Sequence, residues 1–133
     1  MGIEAVGTGL KAVLSISGLH VYAPNELPDT PTIPAAIILP GETIYDATFD
    51  NSYDFKVRLI LLLAKQDMPS AAGRILDYIE PTGDLSVLAK LKADKTLNST
   101  CDSSQVIRNL GVGSTVWGGI TYLSTEFEIA IWI

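Results

Sequence analysis

The strongest pattern in the chain is the alternation at its end. Leu123, Thr125, Phe127, Ile129, Ile131 and Ile133 fall on one side, and Tyr122, Ser124, Glu126, Glu128, Ala130 and Trp132 on the other. Successive strand side chains point to opposite faces, so this segment reads as a long strand with one apolar and one polar face. A second run starts the same way. Tyr53, Phe55, Val57, Leu59, Leu61 and Leu63 oppose Asp54, Lys56 and Arg58, until Ile60 and Leu62 make both faces apolar. That pattern predicts a strand open to solvent at one end and covered at the other.

Shorter elements lie around these two. Ile3, Val6, Leu10, Val13 and Leu14 recur at helical spacing within residues 3–16, despite Gly7 and Gly9, and predict an N-terminal helix. Leu19-His20-Val21-Tyr22 alternates as a short strand, and Pro24, Pro28, Pro31 and Pro34 then hold the chain extended as a crossing loop. Residues 35–39 form a compact apolar strand that Pro40-Gly41 is expected to end, with a new strand from Thr43. The turn formers of residues 46–54 predict an acidic hairpin tip. Asp67 is expected to cap a helix over 69–80 with Ala71, Ala72, Ile75, Leu76 and Ile79 as its apolar stripe. Asp84 is expected to cap a shorter helix carrying Leu85, Leu88 and Leu91. Residues 104–110 and 115–117 read as strand pieces around a Gly111-Val112-Gly113 turn, and Gly118-Gly119 leads into the final strand. The order of helix, strands, two helices and strands predicts an α+β fold: a mainly antiparallel sheet with helices packed on one face, in a single compact domain over 1–133.

Composition adds a constraint on the surface. Charged residues make up 18% of the 133 positions and the mean hydropathy is +0.30, which leaves little polar surface to cover a monomer. Contact with another protein is therefore expected. The longest apolar run, residues 59–64, is far short of the ~20 residues that span a bilayer, so no membrane partner is expected. Met1-Gly2-Ile3-Glu4 lacks the basic start and apolar stretch of a signal peptide, and synthesis in the cytosol is the expectation. The net charge of −6 argues against tight nucleic-acid binding, which needs clustered cations.

Candidate chemistry is sparse. Cys101, the single cysteine, reads as a reduced structural residue, and His20 as a histidine packed in its strand. Gly111-Val112-Gly113 resembles the opening of a dinucleotide fingerprint, but Val116 stands at the third glycine's place. Asp46, Asp50 and Asp54 lack the alternation and central glycine of a calcium loop. Glu126 and Glu128, two apart on a strand, read as the polar face of a sheet rather than a glycosidase pair. Ser104, Ser114 and Ser124 have no nucleophile-elbow context. No cofactor and no metal is expected, and protein binding rather than catalysis is the expected role.

The succession of the N-terminal helix, Gly18-Leu-His-Val-Tyr22, the proline-rich crossing into Pro34-Ala-Ala-Ile-Ile-Leu-Pro40, the apolar strand of 55–64, Gly83-Asp-Leu-Ser-Val-Leu88 and the closing segment 118–133 resembles the tail terminator (tail completion) proteins of long-tailed bacteriophages. The resemblance covers nearly the whole chain and rests on element order and apolar motifs. It implies a small α+β subunit forming a hexameric ring on the end of the tail tube, which stops tube growth and presents the surface to which the head attaches. The implied partners are further copies of the chain, the major tail tube protein, a head-completion or connector protein, and double-stranded DNA passing through the lumen. The implied location is the head-proximal end of the virion tail, after assembly in the host cytoplasm. Six copies at −6 give roughly −36, a sign that suits DNA passage without adhesion.

Aromatics outside regular core spacing are common interface anchors. Ile44, Tyr45, Phe49 and Tyr53 in the hairpin, and Trp117 beside the second turn, are candidates for ring or tube contacts, with local core packing as the other reading. Lys56, Arg58 and Arg108 are candidates for ion pairs between subunits with the acidic tip. Two other functions remain open at this point: a head-completion or connector-docking protein of the same phage neck, and a small-molecule enzyme.

Overall fold

The two alternating segments pair with each other. In the computed structural model, Tyr53–Lys65 and Ile120–Trp132 run antiparallel, with Asp54 opposite Trp132 at one end and Lys65 opposite Tyr122 at the other. The structure describes residues 3–14, 16, 19–24, 27, 29, 31–45, 53–65, 78–80, 83, 86–99, 101 and 103–132. Within these, the elements are α1 (Ile3–Val13), β1 (His20–Tyr22), β2 (Ala35–Tyr45), β3 (Tyr53–Lys65), α2 (Val87–Ala93), β4 (Ser103–Trp117) and β5 (Ile120–Trp132). They build one five-stranded sheet of order β1-β2-β3-β5-β4, in which β1 and β2 are parallel and every other pair is antiparallel. This is the α+β architecture that the run of elements predicts.

The larger core lies on one face. Phe55, Val57, Leu59 and Leu61 of β3 join Phe127, Ile129 and Ile131 of β5 there. Both helices close over this face, α1 through Val6 and Leu10, continued by Leu14 just past its end, and α2 through Val87 and Leu91, each set spaced four apart. Tyr78, in the helical pair Tyr78–Ile79, is buried in the same cluster. Glu4 in the first turn of α1 and Lys11 in its last complement the helix dipole.

The opposite face is divided. Ala35, Ile37, Ile60, Leu62 and Tyr122 form a second, smaller cluster, against which Tyr22, Ile33, Trp117 and Ile120 pack. The proline-rich crossing contributes to its cover: Ile33 belongs to it, and the Thr32 amide donates to the Tyr22 hydroxyl at 3.1 Å. Past Ile60, which pairs with Glu126, this face becomes charged. The change from apolar to polar along β3 follows the sequence pattern.

Three local readings are corrected. Pro40-Gly41 does not end a strand, because β2 runs through it with one extra residue between the pairs Pro40–Val57 and Thr43–Phe55. β1 reaches only Ala35 to Ile37, so at Pro40 β2 is an edge strand on its outer side, where a proline is tolerated. Gly41 has little room there, since a β-carbon would come 3.1 Å from the Lys56 carbonyl oxygen. Gly111-Val112-Gly113 is likewise a bulge inside β4 rather than a turn, with one extra residue between Asn109–Phe127 and Val112–Thr125. Gly111 takes a φ of +87°, its amide bonds Asn109 Oδ1 at 2.8 Å, and its carbonyl accepts from the buried Thr125 hydroxyl at 2.9 Å.

The cap of α2 is Ser86, not Asp84: the Ser86 hydroxyl accepts from the Ala89 amide at 3.1 Å. The true reversal of the chain is at Gly118-Gly119, with φ of +59° and +83°, the two-residue turn whose twist matches an antiparallel hairpin. The 46–52 tip, the Asp67 cap and most of the 69–80 helix lie outside the described residues. The register of β2 with β3 nonetheless makes them a hairpin, with Tyr45 opposite Tyr53.

Leu59→Ala, at a fully buried site, is expected to lower unfolding stability in urea by about 2–5 kcal/mol. Gly119→Ala should lower it by about 1–3 kcal/mol through its positive φ. Val116→Ala, on the exposed outer strand, should stay within about 0.5 kcal/mol. Equal losses at Leu59 and Val116 would contradict this packing.

Candidate interaction surface

Five charged residues form a ladder across three strands on the polar part of the second face. Arg58 of β3 grips Glu126 of β5 with both Nη2 (2.8 Å to Oε1) and Nε (3.4 Å to Oε2). Glu128 of β5 divides its two oxygens, taking Lys56 Nζ of β3 on Oε1 at 3.0 Å and Arg108 Nε of β4 on Oε2 at 3.0 Å. Cations flank a central row of anions, the order that opposite charges on neighbouring strands favour. The hydrogen bond from Lys56, with the nearby Arg108 charge, holds the Glu128 carboxyl below its ordinary value. The hydrogen bond to Glu126 raises the Arg58 guanidinium above its own.

This arrangement decides where the sequence candidates fall. Lys56, Arg58 and Arg108 are brought together, but their partners are Glu126 and Glu128 of the same chain, in place of the expected acidic tip of a neighbouring subunit. The pairing follows from register: Arg58 and Arg108 both stand opposite Glu128, and Glu126 is one same-face step along β5. Trp117 is half-buried against the second cluster, as the local-packing reading expects. Ile44 and Tyr45 lie on β2 and Tyr53 on β3, opposite Asp54, Tyr53 and Tyr45 respectively, with side chains outside the described residues, as is Phe49 altogether. His20 is on β1 but exposed rather than packed, because β1 is the edge of the sheet. Cys101 is buried, with its thiol 3.4 Å from the Thr96 carbonyl oxygen, as a structural thiol is expected to be.

Sequence reasoning read the outer strand as two pieces and missed its exposed edge. β4 is the other edge of the sheet and exposes Leu110 (56%), Val112 (48%) and Val116 (67%), together with Ile107. Val112 and Val116 stand opposite Thr125 and Thr121 and so lie on the helix-bearing face, beyond its core. Edge strands are usually protected by charge, and β4 contains one charged residue, Arg108, in its 15 positions. The alternation of Val112, Ser114 and Val116 carried this signal, but reading a turn at Gly111–Gly113 cut it in two.

A second missed feature is a cavity of about 420 Å³ between α2 and the start of β4. Leu88, Leu91 and Val106 give it apolar lining, Lys92 and Lys95 stand at it, and Trp132 forms part of its wall. Lys95 opens a left-handed loop in which Leu97, Asn98 and Ser99 all have positive φ. Asp94 ties that loop by accepting from the Thr96 amide (3.2 Å), the Thr96 hydroxyl (2.8 Å) and the Asn98 amide (3.0 Å), and the Thr96 hydroxyl bond, followed by the Asn98 amide, leads in lowering its pKa. Leu97 anchors it from below, fully buried. Among the described residues, no group of three His, Cys, Asp or Glu could hold a metal ion, and no helix is long and apolar enough to cross a membrane.

Glu128 has a lowered pKa in the folded chain, so its contribution to stability is complete above the ordinary glutamate value of about 4.3 and is lost as pH falls through the lowered one. Glu128→Gln is therefore expected to be less stable than the parent at neutral pH, with the gap narrowing in acid. Urea unfolding at a series of pH values checks this, and a gap that stays constant with pH would contradict the ladder. Compared with known proteins, the chain matches no protein-family model and no curated protein sequence.

Proposed function

We propose that the chain is a structural subunit of a phage tail, a terminator that assembles with further copies into a ring, six-membered by the resemblance, on the head-proximal end of the tail tube. The observation that carries this reading is the outer strand β4: long, nearly uncharged and bearing exposed Leu110, Val112 and Val116 on a sheet edge. An apolar edge of this kind favours contact with another chain. Further support comes from the α+β architecture, which the family resemblance implies, and from the composition, which leaves little polar surface to cover a monomer. The acidic net charge suits a lumen through which DNA slides. In a closed ring each subunit buries two different patches, which asks for surfaces on opposite sides of the sheet. The tail tube protein, a head-completion or connector protein and DNA are the partners in this reading.

The test is electron microscopy of the chain over a wide concentration range, alone and with the tail tube protein of the same phage. Six-fold rings, free or seated on tube ends of fixed length, are expected. Monomers at every concentration, with tubes that keep growing in their presence, would overturn the proposal. Leu110→Asp combined with Val116→Asp changes exposed positions, so folding should be unaffected within about 0.5 kcal/mol per site while assembly weakens. Unchanged assembly of that variant would remove β4 as the contact edge.

A further inference from the structure

We propose that the groove between α2 and the start of β4 binds an extended, acidic segment of a protein partner, which adds to the open edge of β4 as a further strand. The proposal goes beyond the ring reading and is independent of it, since that reading rests on β4 from Leu110 onward.

The make-up of the groove leads to it. One wall is helical, with Leu88, Leu91 and Lys92 on α2 and Lys95 just after it. The other wall is the unbroken run of residues 103–106. Strand side chains alternate between faces, so four consecutive residues line one hollow only where that hollow reaches the edge of the strand. β4 is the last strand in the sheet order, and every second residue of such a strand turns its N–H and C=O away from its neighbour. The stretch is also regular, because the first bulge of β4 comes after Val106. A groove between a helix and a free strand edge suits a peptide that joins the sheet, with main-chain bonds supplying affinity and pockets for alternate side chains supplying selectivity. Mixed polar and apolar lining is what such a site requires.

Charge selects the segment. Lys56, Arg58 and Arg108 are neutralised inside the chain by Glu126 and Glu128. Lys92 and Lys95 are exposed and form no ion pair among the described residues, while Asp94 between them accepts from Thr96 and Asn98 of its own loop. The Ser104 hydroxyl donates to the Lys95 carbonyl at 2.8 Å, which sets the lysine end of the groove beside Ser104. Val106, the next residue on the same face, belongs to the apolar end with Leu88. Same-face residues of a strand are about 6.6 Å apart, close to the helical turn of about 6 Å between Leu88 and Lys92. A partner strand with an apolar residue and a carboxylate two positions apart therefore sets the first against Leu88 and Val106 and the second at the lysines. A cavity of about 150 Å³ already holds a benzene ring, so about 420 Å³ has room for an apolar side chain and the backbone that carries it. The partner takes the side of β4 away from β5, whereas Asp54 of the same chain lies across β5, two strand spacings or about 10 Å from Ser103.

The probe is a fluorescently labelled, amidated peptide, Thr-Thr-Val-Thr-Glu-Thr-Thr, beside its counterpart with Lys in place of Glu. Each is titrated into the full chain at low salt and followed by anisotropy, with amide hydrogen exchange of the complex. The Glu peptide is expected to bind saturably, about tenfold more tightly than the Lys peptide, and to slow exchange at residues 103–106. Lys92→Glu combined with Lys95→Glu is expected to reverse the preference, and its circular dichroism should match the parent because both positions are exposed. Absence of saturable binding overturns the proposal, as does equal binding of the two peptides or protection at residues 112–117 instead. A preference for the Glu peptide that survives in the folded lysine variant overturns it too. None of these results bears on the ring reading, which stands or falls by the microscopy of tube ends.

Discussion

The pairing of β3 with β5 is the constraint on which the rest of the fold depends. These strands lie next to each other at the interior of the sheet, and both give one face to the main core. α1 and α2 place their buried stripes in the same cluster as that shared face. β2 takes its register from β3, and β4 takes its register from β5. On the reverse face the same pair sets Ile60 and Leu62 into the second cluster and brings Arg58 to Glu126. A single alternation thus specifies two cores and a charge ladder.

The outer strands adjust to this template through irregularity. β2 absorbs one residue near Gly41, and β4 absorbs one between Val106 and Arg108 and another between Asn109 and Val112. Bulges re-aim side chains along an edge. In β4 they return Arg108 to the ladder face, where it reaches Glu128, and turn Leu110 toward solvent. The central strands also carry a shift, between Leu62 and Ala64, near the covered end of β3. Surface chemistry and core packing are therefore separated by strand position: order inside, accommodation and exposure at the edge.

The central strands and the N-terminal helix were legible in the sequence because each rests on a periodicity that burial enforces, and the fold class followed from the order of the elements. Phe127, Ile129 and Ile131 could be assigned to a face without coordinates. Glycine and proline misled at Pro40-Gly41 and Gly111-Val112-Gly113, since the same residues that end strands also permit bulges, and only a continuous partner strand distinguishes the two. The choice of Asp84 over Ser86 as a cap is of the same kind, because both residue types serve and two residues separate them. Among the site residues, Lys56, Arg58 and Arg108 were recognised as ion-pair formers, but their partners required cross-strand register. The exposure of Leu110 and Val116 was hidden because it depends on which strand lies at the edge, a property of strand order that local sequence does not encode.

The dependence of the whole fold on the β3–β5 pair is tested most directly by native-state hydrogen exchange of the intact chain, read amide by amide. The slowest exchange is expected in β3 from Phe55 to Leu62 and in β5 from Phe127 to Ile131, at the free energy of global unfolding. Amides of β4 beyond Leu110 are expected to open far more readily. If β4, or the short pair of β1 with β2, were instead the most protected region while β3 and β5 exchanged faster, the central pair would not be what holds the structure together.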